Sequence, residues 1–273
     1  MKRVAIVGLG WLGMPLALAL HARGWQVCGS KRTPDGVAAA RMCGIDSYRL
    51  LLTPRLECEA DDLEALLRVD ALVVAVPASQ SVTGDNYLLA IQQLIDSALA
   101  CGVPHILFTS SISVYGDISG HVNERSVLRP TTLAGRTLAE LENWLHDLPG
   151  TRVDILRLAG LVGPQRHPGR FLAGKRGLEN GHHGVNLVHL DDVIAALTLL
   201  LERGNGGVWN ICAPEHPARG NFYPEVTRQL GLTPPEFNQA SGGQQGKVID
   251  GSKICRQLGF RYQYPNPNNM PLS

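Results

Sequence analysis

Apolar positions come in short runs, broken at regular intervals by glycines and polar residues. Lys2 to Val7 predicts a buried strand, Gly8 to Gly13 a turn, and Met14 to Ala22 an apolar helix closed by Gly24. Trp25 to Gly29 predicts a second strand, Gly36 to Met42 a helix, and Ser47 to Leu51 a further short strand. Asp61 and Asp62 open "DDLEALLRV", and acids in a first turn are what a helix N-terminus favours. Asp70 then leads into "ALVVAV", wholly apolar up to Pro77, as suits a strand buried on both faces. Asn86 to Ala100 predicts an amphipathic helix, and "PHILFTSS" a strand that ends in hydroxyls. A polar loop follows, then a helix from about Thr131 to His146 and a sixth strand, "RVDILRL". Strand and helix alternate throughout, which argues an α/β parallel sheet covered on both sides.

After Leu158 the rhythm changes. Gly, Pro, His and Arg crowd residues 160–184, which is loop chemistry. "VNLVHL", a helix from Asp191 to Glu202, the strand "GVWNIC" and a helix near Phe222 to Leu230 complete the pattern. The end, "YQYPNPNNMPLS", reads as irregular. The expected division is a nucleotide-binding domain over 1–160 and a smaller lobe over 161–273. Segments near 185–213 are expected to return to the first domain's sheet.

Composition narrows the partners. The 273 residues are 44% hydrophobic and 18% charged, with a net charge of +1. No general field draws such a chain to nucleic acid or to an anionic membrane. No apolar run approaches the ~20 residues that span a bilayer. Six scattered cysteines without C-x-x-C read as reduced thiols, hence a cytoplasmic protein. Residues 1–24 can also be read as a secretory signal, with a basic start and "ALALHARG" as a cleavage region. Against that, the glycines lie inside the supposed apolar core, and cleavage would delete the first strand.

The chemistry begins with those glycines. Gly8-x-Gly10-x-x-Gly13 follows a strand and opens a helix, the context a dinucleotide site requires. Gly8 allows the tight turn, Gly10 lets a pyrophosphate approach the backbone, and Gly13 lets helix and strand pack closely. Trp11 and Leu12 complete the turn, and the helix N-terminus offers N–H groups to the phosphates. The second strand ends in "GSKRTPDG". An NAD site usually places an acid there. Ser30, Lys31 and Arg32 instead suit a 2′-phosphate, so NADP is favoured over NAD.

"TSSISVYGDISGHVNE" from Thr109, "ILRLAGLVGP" from Ile155 and "VHLDDVIAAL" from Val188 together resemble the extended short-chain dehydrogenase/reductase family. Its members include sugar-nucleotide epimerases and dehydratases. The likeness runs through nearly the whole chain, and "VAIVGLGWLGMPLA", "HPGRF" and "NICAP" with "HPAR" point to an atypical branch. The resemblance implies a Rossmann-type, doubly wound sheet with a small C-terminal substrate lobe. It implies that Ala75, Val76 and Pro77 line the cofactor ribose and that Thr109 and Ser110 lie near the nicotinamide. Ser111 matches the active-site serine.

Two departures stand out. Val7 occupies the first glycine position of the family's G-x-x-G-x-x-G, and Gly8 restores a tighter spacing. The family's Tyr-x-x-x-Lys pair, aligned on Glu140, falls on Thr132 and Arg136, which step by four along one helical face. Arg136 can still bind ribose hydroxyls, but a threonine does not act as a free base. Tyr115, Ser113 and the histidines His121, His167, His182, His183 and His189 are the other candidate proton sources, although the resemblance makes Tyr115 mainly structural and His189 largely architectural. No metal is expected, because no ligand set has the right spacing. "TSSIS" lacks the nucleophile elbow of a serine hydrolase, and no P-loop is present.

Arg166, His167 and Arg170 in "GPQRHPGRF" suit phosphate or carboxylate, and Asn186 contacts a ligand or satisfies a turn. The expected protein is an NAD(P)-binding oxidoreductase or epimerase/dehydratase-like enzyme. Its substrate would be a small anionic molecule or sugar nucleotide, and family members often form homodimers. The alternative is a non-catalytic NAD(P)-binding redox sensor.

Overall fold

The computed structural model describes residues 2–52, 55–78, 84–238 and 246–272. The chain divides into two units. The first comprises Met1–Val114, Pro130–Leu156 and Leu197–Val208; the second comprises Tyr115–Arg129, Arg157–Ala196 and Trp209–Ser273.

The first unit is built on alternating strands and helices. In chain order these are β1 (Arg3–Val7), α1 (Gly13–Ala22), β2 (Gln26–Lys31), α2 (Pro34–Met42), β3 (Asp46–Arg49), α3 (Ala60–Leu67) and β6 (Ala71–Val74), the last numbered after a small hairpin of β4 (Leu51–Leu52) and β5 (Leu56–Glu57). Then come α4 (Gly84–Ala100), β7 (His105–Ser111), α5 (Leu133–His146), β9 (Arg152–Leu158), the end of α6 (Leu190–Arg203) and the start of β12 (Gly207–Ile211). β8 (Gly120–Val122) belongs to the second unit.

The seven-stranded sheet runs β12-β9-β7-β6-β1-β2-β3. β1 pairs parallel with β2 on one side and β6 on the other, and Val4 to Val7 are wholly buried. The residues that also fit a secretory leader therefore form an inner strand and its helix. From β1 the strand order proceeds outward in both directions. The order reverses beside β1, the switch point at whose strand ends ligands bind in open α/β sheets.

Boundaries differ where local chemistry outweighs the apolar pattern. β2 runs two residues past Gly29. α2 starts at Pro34 rather than Gly36, because Thr33 caps it by accepting the Gly36 amide (3.1 Å) and proline suits a first helical position. β7 and β9 are also joined by a fully buried pair, His105 Nε2 to Asp154 Oδ2 at 2.7 Å.

The second unit contains two small parallel pairs. β10 (Gly160–Val162) pairs with β11 (Leu187–His189), and β8 (Gly120–Val122) with β13 (Lys247–Ile249). α7 (Arg219–Gln229) and α8 (Lys253–Leu258) complete it. Its core gathers Val162, Leu187, Phe222, Val226 and Met270. β10 and a 3-10 turn at Pro168–Arg170 lie inside the stretch expected to be loop. α7 starts three residues earlier than expected, with Pro224 inside it. The tail is largely irregular but fastened: Asp192 accepts the Gln263 and Tyr264 amides, and His189 Nε2 meets the Pro271 carbonyl at 2.9 Å.

All six cysteines are unpaired. Among the described residues no helix is long and apolar enough to cross a membrane.

Candidate cofactor and active site

A cavity of about 350 Å3 opens at the crevice, where the β1 turn, the end of β2 and the segment after β6 converge. Each glycine of the turn has a separate part. Gly8 adopts φ 99°, which a side chain rarely tolerates, and a Cβ there would lie 2.9 Å from Val76 Cγ2. A Cβ on Gly13 would lie 2.1 Å from the Gly8 carbonyl oxygen, so only glycine lets α1 begin there. A Cβ on Gly10 would meet nothing within 4 Å; its space belongs to the cavity, which Gly10 lines. This is the cradle a pyrophosphate needs. No side chain caps the start of α1, where the Met14 amide donates to the Gly10 carbonyl (3.0 Å). Leu12 is buried and Trp11 half-buried, and neither they nor Gly13 line the cavity.

Ser30 is tied into this turn. It is almost wholly buried, its Oγ accepts the Gly8 amide (3.2 Å) and its carbonyl accepts that of Leu9 (3.0 Å). Lys31 and Arg32 line the same end, followed by Thr33 and Gly36 of the α2 start. Among the described residues no carboxylate lines this cavity. Across from them, Ala75, Val76 and Pro77 form the other wall. Tyr87 of α4 holds that wall by donating to the Val76 carbonyl (2.7 Å), and burial pushes its phenol well up. Tyr87 went unremarked in the sequence. The signal was there, since a tyrosine on an apolar helix face needs a partner for its hydroxyl.

The end of β7 separates its hydroxyls by strand alternation. Thr109 and Ser111 are half-buried on one side. Thr109 Oγ1 donates to the Val74 carbonyl (3.0 Å), and Ser111 Oγ accepts the Ser113 amide (3.1 Å). Ser110, expected near the nicotinamide, points the other way. It is buried and donates to Glu142 Oε1 at 2.5 Å. Thr109 and Ser111 are not among the residues lining the cavity.

Thr132 is not on a helix face with Arg136. It is the N-cap of α5, and its Oγ1 accepts the Gly135 amide at 3.0 Å. Arg136 is exposed and donates to the Thr131 carbonyl (3.1 Å). Glu140 is exposed, whereas Glu142 is the buried acid of α5. Aligning on Glu142 instead would put Ala134 and Leu138 at the tyrosine and lysine positions. Neither register supplies a phenol or an ammonium.

Tyr115 does not replace them. It is fully buried in the second unit, donates to Asn210 Oδ1 (2.7 Å) and accepts from the Arg157 guanidinium (2.8 Å). Burial raises its pKa against the pull of Arg157, so both lone pair and proton are committed to architecture. Glu124 closes the network by accepting the Asn210 amide (2.9 Å). Asn186 is likewise structural, donating to the Lys247 carbonyl and accepting the Ile249 amide. His189 fastens the tail, His182 and His183 stack edge-on, and His121 is exposed. Among the described residues no group of three His, Cys, Asp or Glu is placed to hold a metal. His167 and Arg170 meet on a second cavity, within the second unit, and Arg166 is not among its lining residues.

Compared with known proteins, residues 4–212 match the NAD dependent epimerase/dehydratase family, and the chain belongs to that family. It is 64% identical over 274 residues to the protein YeeZ of Escherichia coli K12, covering all of both chains. A conserved protein of unknown function from Silicibacter pomeroyi superposes with a TM-score of 0.77 at 26% identity, covering 97% of this chain and 95% of that one. The UDP-glucose 4-epimerase of Thermus thermophilus, solved in complex with NAD, superposes with a TM-score of 0.76 at 19% identity, covering 96% and 94%.

Proposed function

We propose that the chain binds a pyridine dinucleotide, NADP in preference to NAD, and works as an oxidoreductase or epimerase/dehydratase-like enzyme on a small anionic molecule or sugar nucleotide. The observation that carries this reading is the open space at Gly10 inside a turn whose other glycines are sterically obligatory. The Thermus epimerase with its NAD supports it by likeness of fold. The pyrophosphate would lie over the open backbone at Gly10, against the N-terminus of α1, and the ribose against Ala75, Val76 and Pro77. Lys31 and Arg32, with no acid opposing them among the described lining residues, would hold a 2′-phosphate.

A bound nicotinamide supplies hydride exchange. The chain's own part is to position and polarise. Ser111 Oγ accepts a backbone amide, which leaves its proton free to donate to a substrate oxygen. Thr132 Oγ1 accepts the Gly135 amide and likewise keeps its proton, but its hydroxyl does not ionise in any useful range. Arg136 would fork onto ribose hydroxyls.

A second reading is favoured by one observation: neither register of α5 supplies a phenol, and Tyr115 is buried and doubly bonded. A protein that binds NAD(P) without turnover, as a redox sensor, is built this way. Calorimetric titration with NADPH and NADH tests the binding. Following the reduced cofactor's absorbance over a panel of carbonyl metabolites and sugar nucleotides separates the two readings. Turnover that Ser111→Ala abolishes, with cofactor affinity kept, supports the enzyme. Tight binding without turnover supports the sensor, and absence of binding overturns both.

A further inference from the structure

The second unit has a cavity of its own, about 690 Å3, which shares no lining residue with the cofactor cavity. Its wall depends on a glycine. A Cβ on Gly169 would lie 2.4 Å from the Val226 carbonyl oxygen, so only glycine lets the Pro168–Arg170 turn press against α7. Thr227 Oγ1 donates to the Gly169 carbonyl (3.0 Å) and fastens the two. The floor is aliphatic, with Val226 and Leu230 from α7 and Met270 and Leu272 from the tail.

The rim is polar, and among the described residues it carries no carboxylate. His167 Nδ1 accepts the Gly169 amide (3.0 Å), so the neutral ring carries its proton on Nε2 and offers an N–H donor. Partial burial and the neighbouring Arg170 lower its pKa, which keeps that ring neutral and leaves the positive charge to Arg170. Gln165 adopts φ 63° at the second central position of the Gly163–Arg166 turn, behind Pro164. Glycine or asparagine is usual there, and a longer side chain is strained. A strained position that keeps an amide on a cavity rim points to use of that amide.

We propose that this cavity binds an aliphatic carboxylate, its head on Arg170, His167 and Gln165 and its chain along the Val226–Met270 floor. A guanidinium fork matches a carboxylate, and among the described residues no Phe, Tyr or Trp lines the cavity, whose floor is aliphatic. The site goes beyond the cofactor reading and stands or falls separately from it.

The test is calorimetric titration of the full chain with octanoate, beside octanamide, which lacks the charge, and acetate, which lacks the chain. Octanoate is expected to saturate a single site, with both controls weaker by about tenfold or more. Arg170→Gln should weaken octanoate by about tenfold while leaving NADPH affinity unchanged. Gln165→Gly should raise the Tm, by relieving the turn, and yet weaken octanoate. Absence of a saturable signal, equal binding of octanamide, or indifference to either substitution overturns the proposal. NADPH titrations on the same samples report the cofactor site independently.

Discussion

Among single residues, the three glycines of the first turn make opposite predictions although the sequence writes them alike. Gly10→Ala should fold normally, with an unchanged Tm, because its new methyl group enters open space. It should nonetheless bind NADPH at least about tenfold more weakly, since the methyl occupies the phosphate's approach. Gly13→Ala places a carbon 2.1 Å from the Gly8 carbonyl and should destabilise the protein by about 1–3 kcal/mol or more, read by urea unfolding. If Gly10→Ala bound NADPH normally, the cradle would be wrongly assigned. Arg32→Glu, in the same cavity, should weaken NADPH far more than NADH and bring their dissociation constants together or reverse them. The spacing of the glycines was legible because their roles are steric and local. The direction of Ser110 is misread when it is grouped with Thr109 near the nicotinamide, because strand alternation sets it against Thr109 and Ser111. What the sequence hid was Glu142, the distant partner that makes a buried serine tolerable.

At the scale of elements, α5 shows how a motif's spacing survives while its chemistry moves. Thr132, Arg136 and Glu140 do step by four, but the helix begins one residue after Thr132, so the threonine serves as a cap. Thr132→Ala should therefore cost about 1 kcal/mol of stability whatever it does to turnover. Tyr115 belongs to a different element set. Tyr115→Phe leaves Asn210 Oδ1 and the Arg157 guanidinium short of a partner in a buried network. A loss of about 1–3 kcal/mol in urea unfolding is expected, with dinucleotide affinity retained. Retained stability would mean the network is not what holds the phenol. Short elements were the ones the sequence concealed: β8 and β13 have three residues each, too few to show a period, and their partner strands lie far apart in the chain. α8, with six residues, is no better marked.

Across the whole molecule, the alternation of apolar runs sufficed for the main sheet, because each strand buried on both faces announces itself in four or five consecutive residues. The second unit has its own apolar core around Val162, Leu187 and Phe222, and it also carries half-buried histidine side chains. Those side chains predict its response to pH. Burial lowers the pKa of His216, which meets the Val185 carbonyl through Nδ1, and burial with Arg170 lowers that of His167. Both are in the folded chain harder to protonate than in the unfolded one. Between the folded value and the ordinary value of about 6.5, the unfolded chain binds more protons, so stability rises with pH there. The contribution is complete above about 6.5 and is lost as pH falls through that range. At lower pH Asp192 acts in the opposite sense, because desolvation raises its pKa and the folded chain takes up its proton first. The expected profile is a Tm that holds level at pH 7–8 and drops as pH falls below about 6.5. That decline should flatten before the carboxylates titrate. His216→Asn, which keeps a donor for Val185, should remove part of the drop without lowering the Tm at pH 8. A Tm that rose on acidification from pH 7 to 6, or a drop unchanged in His216→Asn, would show that other groups govern the response.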